Sequence, residues 1–254
     1  MTSIECTMER LCDLLFEISN EIRLSILQQL EKGPTNISTL SKALDISNQE
    51  CSRHVSRLVD AELAERDSEG QYRLTEYGEL FMKQLQGQIF SSDNREYFIS
   101  HTLSEIPFEF VARLGELRGS KFVGDVMAVF QNIQEMSDEA EEYIWRITDK
   151  RLNLIYSNLQ AAANRGVKLK RIEPDVIIES PHVEKMPAIE PSEVRGLETV
   201  DVFIAISEKE VAALAFPEIT GGFDYLGFTS RDKDTLKWCT DIFQYYWDKA
   251  KPKL

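Results

Sequence analysis

Between residues 38 and 63 the apolar side chains fall into two short helical stripes on either side of one tight turn, and few folds accommodate that arrangement. Leu40, Ala43 and Leu44 recur at helical spacing, Ile46 sits in the turn, and Cys51, Val55, Leu58 and Val59 form the second stripe. Two short helices therefore share one small core. Asp45 stands at the turn position that favours glycine, and Asp is among the few residues that tolerate a left-handed backbone there. Ser47 followed three residues later by Glu50 is a capping box, which predicts that the second helix begins at Asn48.

With that stripe turned inward, Asn48, Gln49, Ser52, Arg53, Ser56 and Arg57 face outward and His54 lies on the flank. A helix of this width enters the major groove of double-stranded DNA, where Arg bonds guanine and Asn or Gln bonds adenine. A polar face is also what any amphipathic helix shows to solvent, so the spacing alone leaves both readings open. The residues that follow favour the first. Segments 63–66 and 71–74 are strand-like and are joined by Asp67, Ser68, Glu69 and Gly70, which predicts a hairpin with glycine at its tip. Arg66 and Arg73 on its strands, with Tyr72 beside them, could neutralise phosphates, and Lys42 would join them. An amphipathic run continues to Leu85. Upstream, Met8, Leu11, Leu14, Leu15, Ile18, Ile22, Leu24, Ile26, Leu27 and Leu30 read as amphipathic helix interrupted near Ser19 and Asn20, completing the core and offering a dimer surface.

In this order of helices and hairpin, residues 8–85 resemble the winged helix-turn-helix regulators of the ArsR type. The resemblance implies a wing against the DNA backbone and flanking helices that make a homodimer.

Charge is the main objection. The chain carries 29 Lys plus Arg against 43 Asp plus Glu, a net of -14, and residues 1–85 alone hold 9 basic and 15 acidic side chains. Nucleic-acid binders usually show a basic footprint. The attraction must therefore be local, with Lys42, Arg53, Arg57, Arg66 and Arg73 clustered on one side.

The 254 residues suit one small and one mid-sized domain. We expect a winged helix-turn-helix domain at 1–85, a helical linker at 86–119 and an α/β sensor or regulatory domain at 120–254. The fold class is thus mixed, α+β with an α/β second half. No signal peptide or membrane-length apolar run is present, which predicts a cytoplasmic protein without a membrane partner. Cys6, Cys12, Cys51 and Cys239 lack CxxC spacing, so neither a zinc site nor any other metal or cofactor is expected.

Helical runs are expected at 96–103, 107–117 and 123–136. A strand at 142–148, an amphipathic helix at 150–163 and a strand at 167–172 form a strand-helix-strand unit. Further strands are expected at 194–197, 200–206, 211–216 and 225–229, before a last helix from 232 to about 249. The segments TyrIleTrpArgIleThr, AlaAlaAlaAsnArgGlyValLysLeu, GlyGlyPheAspTyrLeuGlyPhe and TrpCysThrAspIlePheGlnTyrTyrTrp look like the middle domain of the archaeal methanogenesis filament regulators. That resemblance covers most of 120–250 and implies an archaeal transcription regulator, with a domain of distant phospholipase-D-like look that senses a small molecule or cell state.

An enzyme finds little material. Phospholipase-D chemistry needs His, one residue, Lys, then Asp four residues later, whereas His182 is followed by Val183, Glu184 and Lys185. No catalytic residue is assigned. For an effector, Arg146, Arg171 and Arg195 at strand positions offer anion partners, and Phe223, Tyr225, Phe228, Trp238, Phe243, Tyr245, Tyr246 and Trp247 either line a pocket or pack as core. The function that follows is a homodimeric, sequence-specific DNA-binding transcription regulator of promoter sites, with an effector-sensing second half. Two alternatives stand beside it: a winged-helix protein-interaction module, and a thiol redox-sensing regulator built on Cys51 or on Cys6 with Cys12.

Overall fold

The computed structural model describes residues 3–178 and 189–253. His182 lies outside the described residues, as does the side chain of Cys6. The chain divides into two compact units, Met1–Leu85 and Gln86–Leu254.

Unit 1 runs α1 (Ser3–Ile18), α2 (Glu21–Leu30), α3 (Ile37–Leu44), α4 (Asn48–Asp60), β1 (Ala64–Arg66), β2 (Tyr72–Leu74) and the start of α5 (Glu76–Asp93). Asn20, Asn36 and Ser47 cap α2, α3 and α4, each side-chain oxygen accepting the N–H three residues on. Asp45 ends α3 at φ 53, in the left-handed region that Asp tolerates. The guanidinium of Arg23 reaches back to the open carbonyls of Phe16 and Glu17 at the end of α1, supplying partners those groups lack within the helix. Ile26, Leu27, Leu30, Leu40, Cys51, Val55, Leu58, Leu63, Leu74 and Met82 close the core. Ala43 and Val59, expected to face inward, are exposed, Val59 at 36%. The core is filled by Leu40 on α3 and by Cys51, Val55 and Leu58 on α4, at 3.6-residue spacing that carries both of these round to solvent.

Unit 2 holds an eight-stranded mixed sheet. Its strands are β3 (Lys121–Val123), β4 (Tyr143–Ile147), β5 (Lys168–Pro174), β6 (Ser192–Leu197), β7 (Phe203–Ser207), β8 (Val211–Ala215), β9 (Gly227–Ser230) and β10 (Lys251–Lys253), in the order β10-β6-β5-β4-β7-β8-β9-β3. β4, β5 and β6 run parallel and every other pairing is antiparallel. Parallel neighbours need a crossover, and α9 (Tyr156–Asn164) supplies the one between β4 and β5. One face packs on α8 (Val126–Glu139) and α9 through Ile133, Met136, Leu159 and Ala162. The other packs on α11 (Lys233–Lys249) through Trp238, Phe243 and Trp247. β7 is buried on both faces, which matches its unbroken apolar run.

Residues 86–119, expected as a linker, are part of this second core. The continuation of α5, then α6 (Arg95–Ser100), α7 (Phe108–Val111) and a 3-10 turn (Leu114–Gly119) bury Phe90, Tyr97, Phe110 and Leu117 against the sheet. Phe90 packs on Phe98 and Phe228 with ring centroids 5.8 and 5.2 Å apart. A short α10 (Asp175–Ile178) follows β5. No helix among the described residues is long and apolar enough to cross a membrane.

Candidate nucleic-acid interface

Every residue of the predicted groove-reading face lies on α4, but not all of them are uncommitted. Gln49, Ser52, Arg53 and Ser56 are exposed, and their side chains make no hydrogen bond or ion pair among the described residues. Asn48 is exposed, with its side-chain oxygen accepting the Ser41 hydroxyl, which ties the start of α4 to α3. His54 is half-buried, and its Nδ1 meets no hydrogen-bond partner among the described residues. Burial, aided by the positive charges of Arg23, Arg53 and Arg57 against the opposing Glu50, holds its pKa below the ordinary imidazole value.

Arg57 departs from the expectation of a free guanidinium. Its Nε and Nη2 donate to the two carboxylate oxygens of Glu17 on α1, at 2.9 and 2.5 Å, and its plane lies over the Phe16 ring. The paired carboxylate is pushed down and the guanidinium up in pKa by that contact.

The hairpin is set by Asp67, whose Oδ1 accepts the N–H groups of Glu69 and Gln71, and by Gly70 at φ 84. Its base is fastened to α5: the Thr75 hydroxyl donates to Glu62 O at 2.6 Å and accepts Gly78 N–H at 2.9 Å. A Cβ at Gly78 would lie 2.0 Å from Leu63 O, so this approach requires glycine. Register places Arg66 opposite Tyr72 and Glu65 opposite Arg73. Directly opposed residues share a face, so Arg66 and Tyr72 lie together on one side while Arg73 is on the other, held by Glu65 at 2.6 Å. The expected trio is therefore split. Arg66 sits against the Tyr72 ring and Gly70 O. Of the five cations expected to cluster, Lys42, Arg53 and Arg66 have no carboxylate partner among the described residues.

In unit 2 the three strand arginines do not converge. Arg146 and Arg171 are register partners on neighbouring parallel strands. Arg195 pairs in register with Ile172, whose side chain belongs to the opposite face, and there it donates to Trp247 O at 2.7 Å and stacks over the Trp247 ring. The aromatic group packs as core: Phe228, Trp238, Phe243, Tyr246 and Trp247 on the α11 side, Phe223 and Tyr225 on the α8 side. Cys51 and Cys239 are buried and burial pushes both thiols up in pKa, while Cys12 is exposed.

A further cluster escapes sequence reading because its members are 123 positions apart: His101 Nε2 lies 3.2 Å from Asp224 Oδ1, and Ser100 Oγ lies 3.0 Å from His101 Nδ1. It does not form a nucleophile relay. His101 Nδ1 is 2.8 Å from Tyr97 O, a carbonyl that can only accept, and the Ser100 hydroxyl donates to that same oxygen. The imidazole is further clamped by stacking on Tyr97 at 3.7 Å.

Comparison with known proteins gives partial matches. The family described as the HVO_A0261 N-terminal domain matches residues 12–90. An uncharacterized HTH-type transcriptional regulator of Methanocaldococcus jannaschii, MJ0229, is 44% identical over 50 residues, covering 20% of this chain and 53% of that protein. The chain thus spans about half the length of the curated relative it matches. Among solved structures, the archaeal chromatin protein TrmBL2 aligns over 92% of this chain and 94% of its own at 17% identity and a TM-score of 0.45. Nuc of Salmonella typhimurium, a phospholipase D family member, aligns over 53% of this chain and 97% of its own at 12% identity and a TM-score of 0.41.

Proposed function

We propose that this chain is a sequence-specific, DNA-binding transcription regulator of the archaeal winged helix-turn-helix kind, ArsR-like in unit 1, that works as a homodimer and senses an effector through unit 2. The observation that carries the reading is the face of α4. Gln49, Ser52, Arg53 and Ser56 stand exposed and unengaged among the described residues on a helix whose start is fixed by a cap and a turn. That is what major-groove readout needs, since donors already spent on the protein cannot pay for base contacts. The matched relative, named an HTH-type transcriptional regulator, supports it.

The homodimer draws on α1, which turns Leu14 and Ile18 to the core while exposing Met8, Leu11, Leu15 and Phe16. A second copy packed there would place two α4 helices in successive major grooves, about 34 Å apart. An effector favouring one arrangement of unit 2 would shift DNA affinity by its differential binding energy.

The test is selection of binding sites from random duplexes, followed by anisotropy with Arg53→Ala and Arg66→Ala. Arg53→Ala should cost about 1–3 kcal/mol at one base position and relax preference there, whereas Arg66→Ala should weaken all sequences alike and lower the salt slope by about 1. Recovery of no preferred sequence by the wild-type chain would overturn the reading.

A further inference from the structure

We propose that unit 2 holds an anion site at the carboxyl ends of β4 and β5, in which Arg146 and Arg171, with Arg151 beside them, take the phosphoryl group of a phosphate monoester or of free phosphate. Its role as the effector site rests on the regulatory reading above; the binding itself rests on geometry alone.

Parallel strands of an α/β sheet present their ligands at the carboxyl ends, where the crossover loops diverge. Arg146 is the fourth residue of the five in β4, and Arg171 is its direct neighbour on β5. Glu173, two residues further along β5, shares their face of the sheet, and Arg151 comes from the loop that leaves β4. Two guanidiniums, those of Arg151 and Arg171, thus meet one carboxylate, and Arg146 stands beside Arg171 with no ion pair of its own among the described residues. Glu173 is fully buried and Arg151 takes most of it, Nε lying 3.1 and 2.9 Å from its two oxygens and Nη2 2.7 Å from one.

What remains is an excess of two positive charges over the one carboxylate. Arg146 is only 5% exposed, and its Nε and Nη2 meet no hydrogen-bond acceptor among the described residues. Arg171 Nε lies 2.7 Å from Glu173 Oε1 but off the line of a hydrogen bond, so its N–H is also unused. The charged groups acting on Arg146 are Arg171 and Glu173, and those acting on Arg171 are Glu173 and Arg151. Burial and this like-charge crowding push Arg146 down to about 10, a direction that a bound anion would reverse.

Leaving buried charged donors unpartnered is costly, and an oxyanion removes that cost at once. Adjacent guanidinium forks match the several oxygens of a tetrahedral phosphoryl group, and two uncompensated charges match a dianion. The Arg171 and Arg151 side chains retain 12% and 18% exposure, which gives an ion a way in from solvent.

The experiment is thermal unfolding of the full chain at constant ionic strength with inorganic phosphate, glycerol 3-phosphate, succinate or chloride. Inorganic phosphate should raise Tm in proportion to ln(1 + c/Kd), where c is the phosphate concentration, by about 5 °C at a hundredfold excess over Kd. A lower Kd for glycerol 3-phosphate, fitted from the dependence of Tm on concentration, would identify a monoester as the source; a lower one for inorganic phosphate would identify the free ion. Arg146→Met should abolish the phosphate-dependent rise and raise Tm in phosphate-free buffer, a pairing that a purely structural arginine would not show. Arg146→Lys, which keeps the charge without the fork, should raise the fitted Kd at least tenfold. An equal rise with chloride, a preference for succinate, or an undiminished phosphate response in Arg146→Met would each overturn the proposal. DNA affinity with and without phosphate tests the regulatory reading separately: binding without any change in DNA affinity sinks the effector role and leaves the site standing.

Discussion

Glu17, in the last turn of α1, holds Arg57 of α4 in a two-pronged ion pair across 40 residues of sequence. A half-exposed guanidinium on the helix proposed to read the groove is thereby tied to α1. The pair is a conditional reserve of positive charge in a domain whose sequence is acidic.

Glu17→Gln should release that reserve. Arg57 then becomes available to a phosphate, and the slope of log K against log salt should steepen by about 0.9. Anisotropy at three or more salt concentrations measures it, and an unchanged slope would show that Arg57 cannot reach DNA.

Gly78→Ala should destabilise unit 1 by about 3 kcal/mol, the upper range for overpacking, because its Cβ would meet a backbone carbonyl that cannot step aside. Denaturant unfolding followed by far-ultraviolet circular dichroism reads the loss. Gly33→Ala acts on a glycine at φ +139 with nothing within 4 Å, so its cost comes from backbone conformation alone, whereas that of Gly78→Ala comes from the clash.

His54 should titrate below about 6.5 in imidazole NMR spectra assigned with a His54→Gln variant. Because its folded-state pKa is depressed, the folded chain binds fewer protons than the unfolded one. Its contribution to stability is therefore present above about pH 6.5 and is lost as pH falls through that value towards the folded-state pKa. His54→Gln should flatten the acid side of the stability profile.

Thiol labelling of the native chain, read by peptide mass spectrometry, should modify Cys12 and spare Cys51 and Cys239. Labelling of Cys51 under native conditions would favour the alternative of a redox switch at that thiol.

The elements that could be read from sequence are those whose cause is local. Asp45 at φ 53, the Ser47 cap and the Gly70 tip each follow from what one residue type can do. Periodicity sets α3 and α4 but says less about how wide the buried stripe is, and Ala43 and Val59 lie just beyond its edges. β3 and β10 are three residues each, too short to show alternation, and exist because β9 and β6 offer them free edges. The pairing of Arg57 with Glu17, the division of Arg66 from Arg73 and the meeting of His101 with Asp224 depend on register or distant packing. No local pattern encodes those.

The strand order of the large sheet also constrains synthesis. Every member of the first core lies within the opening 85 residues, so that unit can condense while the ribosome is still at work. β3, at 121–123, must wait for β9, at 227–230, more than a hundred residues later. During that interval the strands between them have α8 and α9 for one face but not yet α11 for the other, so the apolar side that Trp238, Phe243 and Trp247 finally cover is the last to be closed.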